Sequence, residues 1–173
     1  MPLHPYKNIT PTLGTDVFVA PSAHLIGDVA VGDQSNIWFG VTIRGDVNTV
    51  RIGKRTNIQD GTVCHVTAGT GPLSIGDEVT IGHNATVHAC TLEDGSFVGM
   101  GATVMDGAVV ESGAMVAAGA LVSPGKRVKK GQVFAGVPAK PFRAMTPEEV
   151  KYIPWSAQHY VELAKNYLTQ KDT

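Results

Sequence analysis

The sequence predicts an all-β solenoid, a left-handed parallel β-helix of hexapeptide repeats with a C-terminal α-helix. Three observations predict it. Aliphatic residues recur every six positions over most of the chain. Gly accounts for 20 of 173 residues, well above the usual share of about 7%. Helix formers are scarce until the C-terminal end, so the bulk of the chain reads as short strands and turns.

The repeat runs in four blocks. Val19, Leu25, Val31, Ile37 and Ile43 fall in step. A three-residue slip leads to Ile52, Ile58 and Cys64, and a longer insertion to Ile75, Ile81 and Val87. After a one-residue deletion, Leu92, Val98, Val104, Val110, Val116, Val122, Val128 and Phe134 run without a break. The following position is often Gly, as at Gly32, Gly53, Gly76, Gly82 and Gly99, and the fifth is often small, as at Ser35, Thr56, Ala85, Ala102 and Ala114. Neither a helix nor simple alternation has this period; a short strand plus a corner does. Three such strands close one triangular coil of about 18 residues, and coils stack at the ~4.8 Å strand spacing. The unbroken steps from Leu92 to Phe134 exclude an ordinary sandwich of alternating strands.

The repeats end at Gly136-Val137-Pro138-Ala139-Lys140, so residues 1–140 form the β-helix and 141–173 a helical segment packed on it, one domain overall. Thr146-Pro147-Glu148-Glu149 reads as a capping box with Pro at the first helical position. Val150, Ile153, Val161, Leu163, Ala164 and Leu168 make an apolar face. Pro154 is expected to break or kink the helix, leaving a longer piece from about Ser156 to Thr169.

Composition excludes several functions. Lys+Arg is 14 and Asp+Glu is 15, with no basic stripe, so neither nucleic acid nor an anionic membrane is an expected partner. Cys64 and Cys90 make no disulfide framework. No charged and apolar leader opens the chain and no apolar run is long enough to span a bilayer, so the expectation is a cytoplasmic protein.

Of six histidines, His4 and His24 stand alone and read as exposed or structural, and His159 falls in the helix. The other three are informative. His65 follows Cys64 and His88 follows Val87, so both take the second position of a hexapeptide. Counting strands by threes puts Ile43, Cys64 and Val87 on one face in successive coils, if the Val66–Ser74 insertion adds no strand there. His65 and His88 then stack a strand spacing apart, within reach of one metal. His83 is the third residue of its repeat, on the preceding face, and reaches that metal only from a neighbouring subunit. Such a site is heterologous, and a three-faced prism closes naturally as a threefold ring. Arg44 shares the His65/His88 face, one coil earlier. Gln59 and Asp60 share the His83 face. Arg44 pairing with Asp46 or Asp60 would brace the assembly, while the neutral amide of Gln59 suits a water or an anion beside the metal.

With Arg44-Gly45-Asp46, Asn57-Ile58-Gln59-Asp60, His65, the segment from Ile81 to His88 and the ending Gly136-Val137-Pro138-Ala139-Lys140, the chain resembles the γ-class carbonic anhydrase family over nearly its whole length. The resemblance implies a homotrimer with three interfacial metal sites. It implies that His65 and His88 of one subunit and His83 of another bind zinc, with ferrous iron or cobalt as alternatives, and that Gln59 orients water or bicarbonate. It places Arg44 in an ion-pair network with Asp46 and Asp60, and Tyr160 near the site. The implied reaction is reversible hydration of CO2 to bicarbonate by a metal-bound hydroxide. The chain departs from the archetype in two places: the Val66–Pro72 loop lacks a proton-exporting glutamate, and Val47 replaces a second glutamate after Arg-Gly-Asp. That places it in a shuttle-less branch with low expected activity. An acyltransferase or thioesterase on the same fold, and a non-catalytic metal-stabilised scaffold, are the alternatives.

Overall fold

The computed structural model describes residues 2–169. The last four residues of the segment assigned to the C-terminal helix, and Met1, lie outside the described residues. The chain winds into a parallel β-solenoid of about seven turns followed by one helix. Each predicted hexapeptide aliphatic sits in its expected ladder. The first face stacks Leu25, Ile43, Cys64, Val87, Val104 and Val122. The second stacks Val31, Ile52, Ile75, Leu92, Val110 and Val128. The third stacks Val19, Ile37, Ile58, Ile81, Val98, Val116 and Phe134. All but Val19 are buried, so one inward aliphatic per strand builds the core coil by coil.

The slips in the repeat are corners between the first and second faces. His24–Val31 and Thr42–Ile52 each run from one face to the next as a single bent strand. Gly45 lies in the second bend, where an added Cβ would fall 2.5 Å from the carbonyl oxygen of Asp28. Arg44-Gly45-Asp46 therefore needs its central glycine for close backbone approach. One coil later the Val66–Pro72 insertion fills the same corner and adds no strand to the first face. Its ends are tied by the Thr67 N–H donating to the Gly71 carbonyl at 2.9 Å.

At the other end of the repeats, Lys140–Ala144 folds back antiparallel on Gln132–Ala135 and closes the third face. Residues 141–144, expected in the helical segment, thus belong to a strand that pairs with the last repeat. The helix α1, Pro147–Thr169, begins with the expected capping box: the Thr146 N–H donates to Glu149 Oε2 at 2.9 Å, and the Glu149 N–H to Thr146 Oγ1 at 3.3 Å. The expected break at Pro154 does not occur; α1 is continuous. Pro154 and Val150 are exposed, so water can satisfy the Val150 carbonyl that the proline leaves without a donor. The buried stripe is also shifted, to Ile153, Ser156, Ala157, Val161 and Ala164, leaving Val150 and Leu168 exposed. α1 lies along the third face, where Tyr160 packs edge-on against Trp38 and the hydroxyls of Ser156 and Thr80 meet at 3.1 Å. Among the described residues, no helix is long and apolar enough to cross a membrane.

Candidate metal centre

Parallel pairing places Arg44, His65 and His88 in one outward row of the first face. His65 Nδ1 and His88 Nε2 face each other at 3.1 Å. The outer nitrogens are held by carboxylates: His65 Nε2 lies 3.1 Å from Asp46 Oδ1, and His88 Nδ1 lies 2.7 Å from Asp106 Oδ1. Arg44 donates to Asp46, and the Thr67 hydroxyl donates to Asp106. Burial works to raise the Asp46 carboxyl, but hydrogen bonds from Arg44 and His65 outweigh it and keep it below the ordinary carboxylate range. Asp106 is lowered chiefly by the Thr67 hydrogen bond, and then by His88.

This arrangement fits a cation. Carboxylates only accept, so each outer nitrogen carries its ring's proton. Neutral rings then present two lone pairs to one another. Two zinc–nitrogen bonds of ~2.0–2.1 Å at a tetrahedral angle place the nitrogens ~3.3–3.4 Å apart, within a few tenths of the observed spacing. A carboxylate behind each imidazole is the usual means of fixing ring orientation in a metal site.

The remaining residues form a separate group where the third face turns into the first. His83 and Asp60 occupy equivalent turn positions in successive coils, not the flat face assumed from the sequence. His83 Nδ1 is 2.9 Å from Asp60 Oδ2. Asp60 thus pairs with His83, and among the described residues of one chain Arg44 is ion-paired to Asp46 and not to Asp60. Gln59 is buried, and its Nε2 donates to Asn57 Oδ1 at 3.0 Å. Gln59, His83 and Tyr160 line one cavity of about 270 Å³, walled by Phe97, Met100 and Met115. Burial, with Tyr152 and Asp60 nearby, raises the Tyr160 hydroxyl. Among the described residues of one chain, no three His, Cys, Asp or Glu side chains converge on a metal position.

Asp106 and Thr67 join the site without being expected from the sequence. The signal was present: Val87 pairs with Val104, so Asp106 lies one coil above the residue after His88. Both thiols are buried; Cys64 is pushed up to about 12 by burial and Cys90 is raised by the same cause. Neither is poised as a thiolate nucleophile.

The hexapeptide repeat of succinyl-transferase matches residues 72–106 and 90–124. The chain is 52% identical to γ carbonic anhydrase 2, mitochondrial, of Arabidopsis thaliana over 93% of its length and 60% of the relative's. It is 48% identical to a probable carbonic anhydrase of Methanocaldococcus jannaschii, over 92% of this chain and 99% of that one. The chain belongs to the γ-class carbonic anhydrase family. It spans about 60% of the length of the plant γ carbonic anhydrase it matches. A crystal structure of a hexapeptide transferase family protein from Anaplasma phagocytophilum superposes with a TM-score of 0.92 at 48% identity, covering 95% of this chain and 97% of that one. Transferase names thus share the fold with γ carbonic anhydrases, and the histidines and their carboxylates must decide the chemistry.

Proposed function

We propose that this protein hydrates CO2 reversibly to bicarbonate at a zinc ion shared between subunits of a homotrimer. The observation that carries this reading is the His65/His88 pair, with inner nitrogens 3.1 Å apart and each outer nitrogen on an aspartate. Zinc would supply Lewis acidity, which in carbonic anhydrases has the established effect of bringing the pKa of water to about 7.

The chain's own residues prepare that chemistry. Asp46 and Asp106 hold the two rings in one tautomer, and Arg44 and Thr67 fix those carboxylates in turn. Asp60 takes Nδ1 of His83, leaving Nε2 as the donor that a neighbouring subunit's His65/His88 pair lacks. Because His83 and that pair lie on different parts of the prism, they join only between chains, and a heterologous contact of this kind closes as a ring. Gln59 spends one N–H on Asn57 and keeps its carbonyl and other N–H to orient water or bicarbonate. Tyr160 lines the same cavity, whose apolar wall suits CO2. The loop at 66–72 offers hydroxyls but no carboxylate, so the proton released in each turnover passes to solvent or buffer.

Acyl transfer on this fold needs a basic histidine beside a cleft for its donor, and gives no use for three carboxylate-backed imidazoles. Metal analysis of protein purified without chelators, followed by stopped-flow CO2 hydration, tests the proposal. One zinc per chain and a rate above the buffer blank are expected. Metal-free protein, or metal without hydration, overturns it in favour of acyl transfer or a metal-stabilised scaffold respectively.

A further inference from the structure

A second pair of histidines brings two ring nitrogens as close together as the first. His4 Nε2 and His24 Nδ1 are 3.0 Å apart, with ring centroids at 5.1 Å; for His65 and His88 the values are 3.1 Å and 5.2 Å. Both pairs decorate the first face. The strand Leu3–His4 pairs with the start of His24–Val31 so that His4 stands beside Ile26, and the row continues through Arg44 to His65 and His88. His4 is therefore three ladder steps from His65, roughly 14 Å at the parallel strand spacing.

We infer that His4 and His24 form a second binding site for a borderline divalent transition metal, independent of the His65/His88 centre. The backbone is already fixed: the Leu25 N–H donates to the Pro2 carbonyl at 2.8 Å, and the His24 N–H to the Val41 carbonyl at 2.8 Å. Little ordering is left for the ion to impose, so binding loses little of its gain to conformational entropy. The nitrogen spacing lets both rings reach one ion. Bonds of ~2.0–2.1 Å put cis nitrogens at 90° about 2.8–3.0 Å apart, against ~3.3–3.4 Å at a tetrahedral angle. The observed 3.0 Å, like the 3.1 Å of the first pair, lies within a few tenths of both. Imidazole ligands suit Ni²⁺, Cu²⁺ and Zn²⁺ alike, and Ni²⁺ is a probe that can be told apart from zinc at the first centre. Neither ring has a carboxylate within ion-pair distance among the described residues, which leaves the other positions to water and makes this site weaker than the carboxylate-backed pair. A bound ion would clamp the outermost strand of the solenoid to the first full coil.

Protein loaded with one equivalent of zinc per chain and freed of excess is titrated with Ni²⁺ by calorimetry, alongside His24→Ala and the double variant His65→Ala/His88→Ala. One Ni²⁺ per chain is expected, with Kd tighter than about 100 µM, retained in the double variant and lost in His24→Ala. Should His24→Ala fold poorly, Ni²⁺ added to the wild-type protein must broaden the NMR resonances of residues 3–5 and 24–26 selectively. Uptake unchanged by His24→Ala, no saturable uptake by protein carrying one zinc per chain, or broadening confined to residues around 65 and 88, overturns the inference.

Discussion

Replacing Asp106 tests whether the carboxylates behind the histidines support the metal. Asp106→Asn keeps the size of the side chain and removes its charge. In the native protein Asp106 accepts from His88 Nδ1 at 2.7 Å and from the Thr67 hydroxyl, so it fixes the orientation of His88 and raises the basicity of the inner nitrogen. Losing such a partner costs about 10–100-fold in metal affinity, or roughly 1.4–2.7 kcal/mol. Asp106→Ala is expected at the upper end, because it also frees the ring to rotate. Thr67→Val, which leaves the carboxylate and removes one donor to it, is expected to cost less than either. The assay is competition for Zn²⁺ against a chromophoric chelator, with thermal melting of the metal-free proteins as a control for folding. Zinc affinity within twofold of wild type in Asp106→Ala, with an unchanged melt, would refute the reasoning.

Gln59→Ala should retain zinc and lose about 10–100-fold in CO2 hydration, as expected of a group that orients the reactant without binding the ion; metal content and stopped-flow rates separate the two. Turnover should be slow and buffer-dependent, since an acid of pKa about 7 loses its proton to water at only about 10³ s⁻¹. An imidazole titration at fixed pH and ionic strength should raise the rate; a kcat of about 10⁵ s⁻¹ or more, flat across buffer concentration, would mean a relay exists within the protein. The Glu149 carboxyl is held at about 2, first by the Arg143 hydrogen bonds and then by the Thr146 N–H. Its pKa is lowered on folding, so its contribution is complete above its ordinary value near 4.5 and fades as pH falls from there toward 2. Glu149→Gln should therefore lower the melting temperature at pH 7 and flatten its fall across that acid range. Thr146→Ala should cost about 1 kcal/mol, read by denaturant unfolding, through loss of the helix cap.

The register of the solenoid was legible because each strand contributes one buried aliphatic at a strict six-residue spacing, and every expected ladder partner is observed from Val19 to Phe134. That register alone placed His65 beside His88 and kept His83 apart. Two things escaped it. Contacts that depend on corner geometry, such as Asp106 on His88 and Asp60 on His83, follow side-chain directions that a period does not encode. Elements outside the repeat were also hidden: Leu3–His4 joins the first face ahead of the first counted hexapeptide, which brings together two histidines that look isolated in sequence. At Pro154 tertiary packing overrides the local rule that proline breaks a helix. The third face holds the buried stripe of α1 from Ile153 to Ala164, while the proline sits on the opposite, wet side.

The intersubunit site is tested most directly by mixing two defective variants. His83→Ala keeps the His65/His88 pair, and His65→Ala keeps His83. Neither homotrimer should hold zinc at the proposed centre. After unfolding and reassembly of an equal mixture, an interface is intact when a His83→Ala chain presents its pair to a His65→Ala chain's His83, which random assortment gives at about one interface in four. Recovery of about a quarter of the wild-type zinc, with matching CO2 hydration, is the expected result. No recovered zinc in a mixture shown by mass spectrometry to contain mixed trimers, or a wild-type protein that is monomeric when zinc-loaded, would contradict the account.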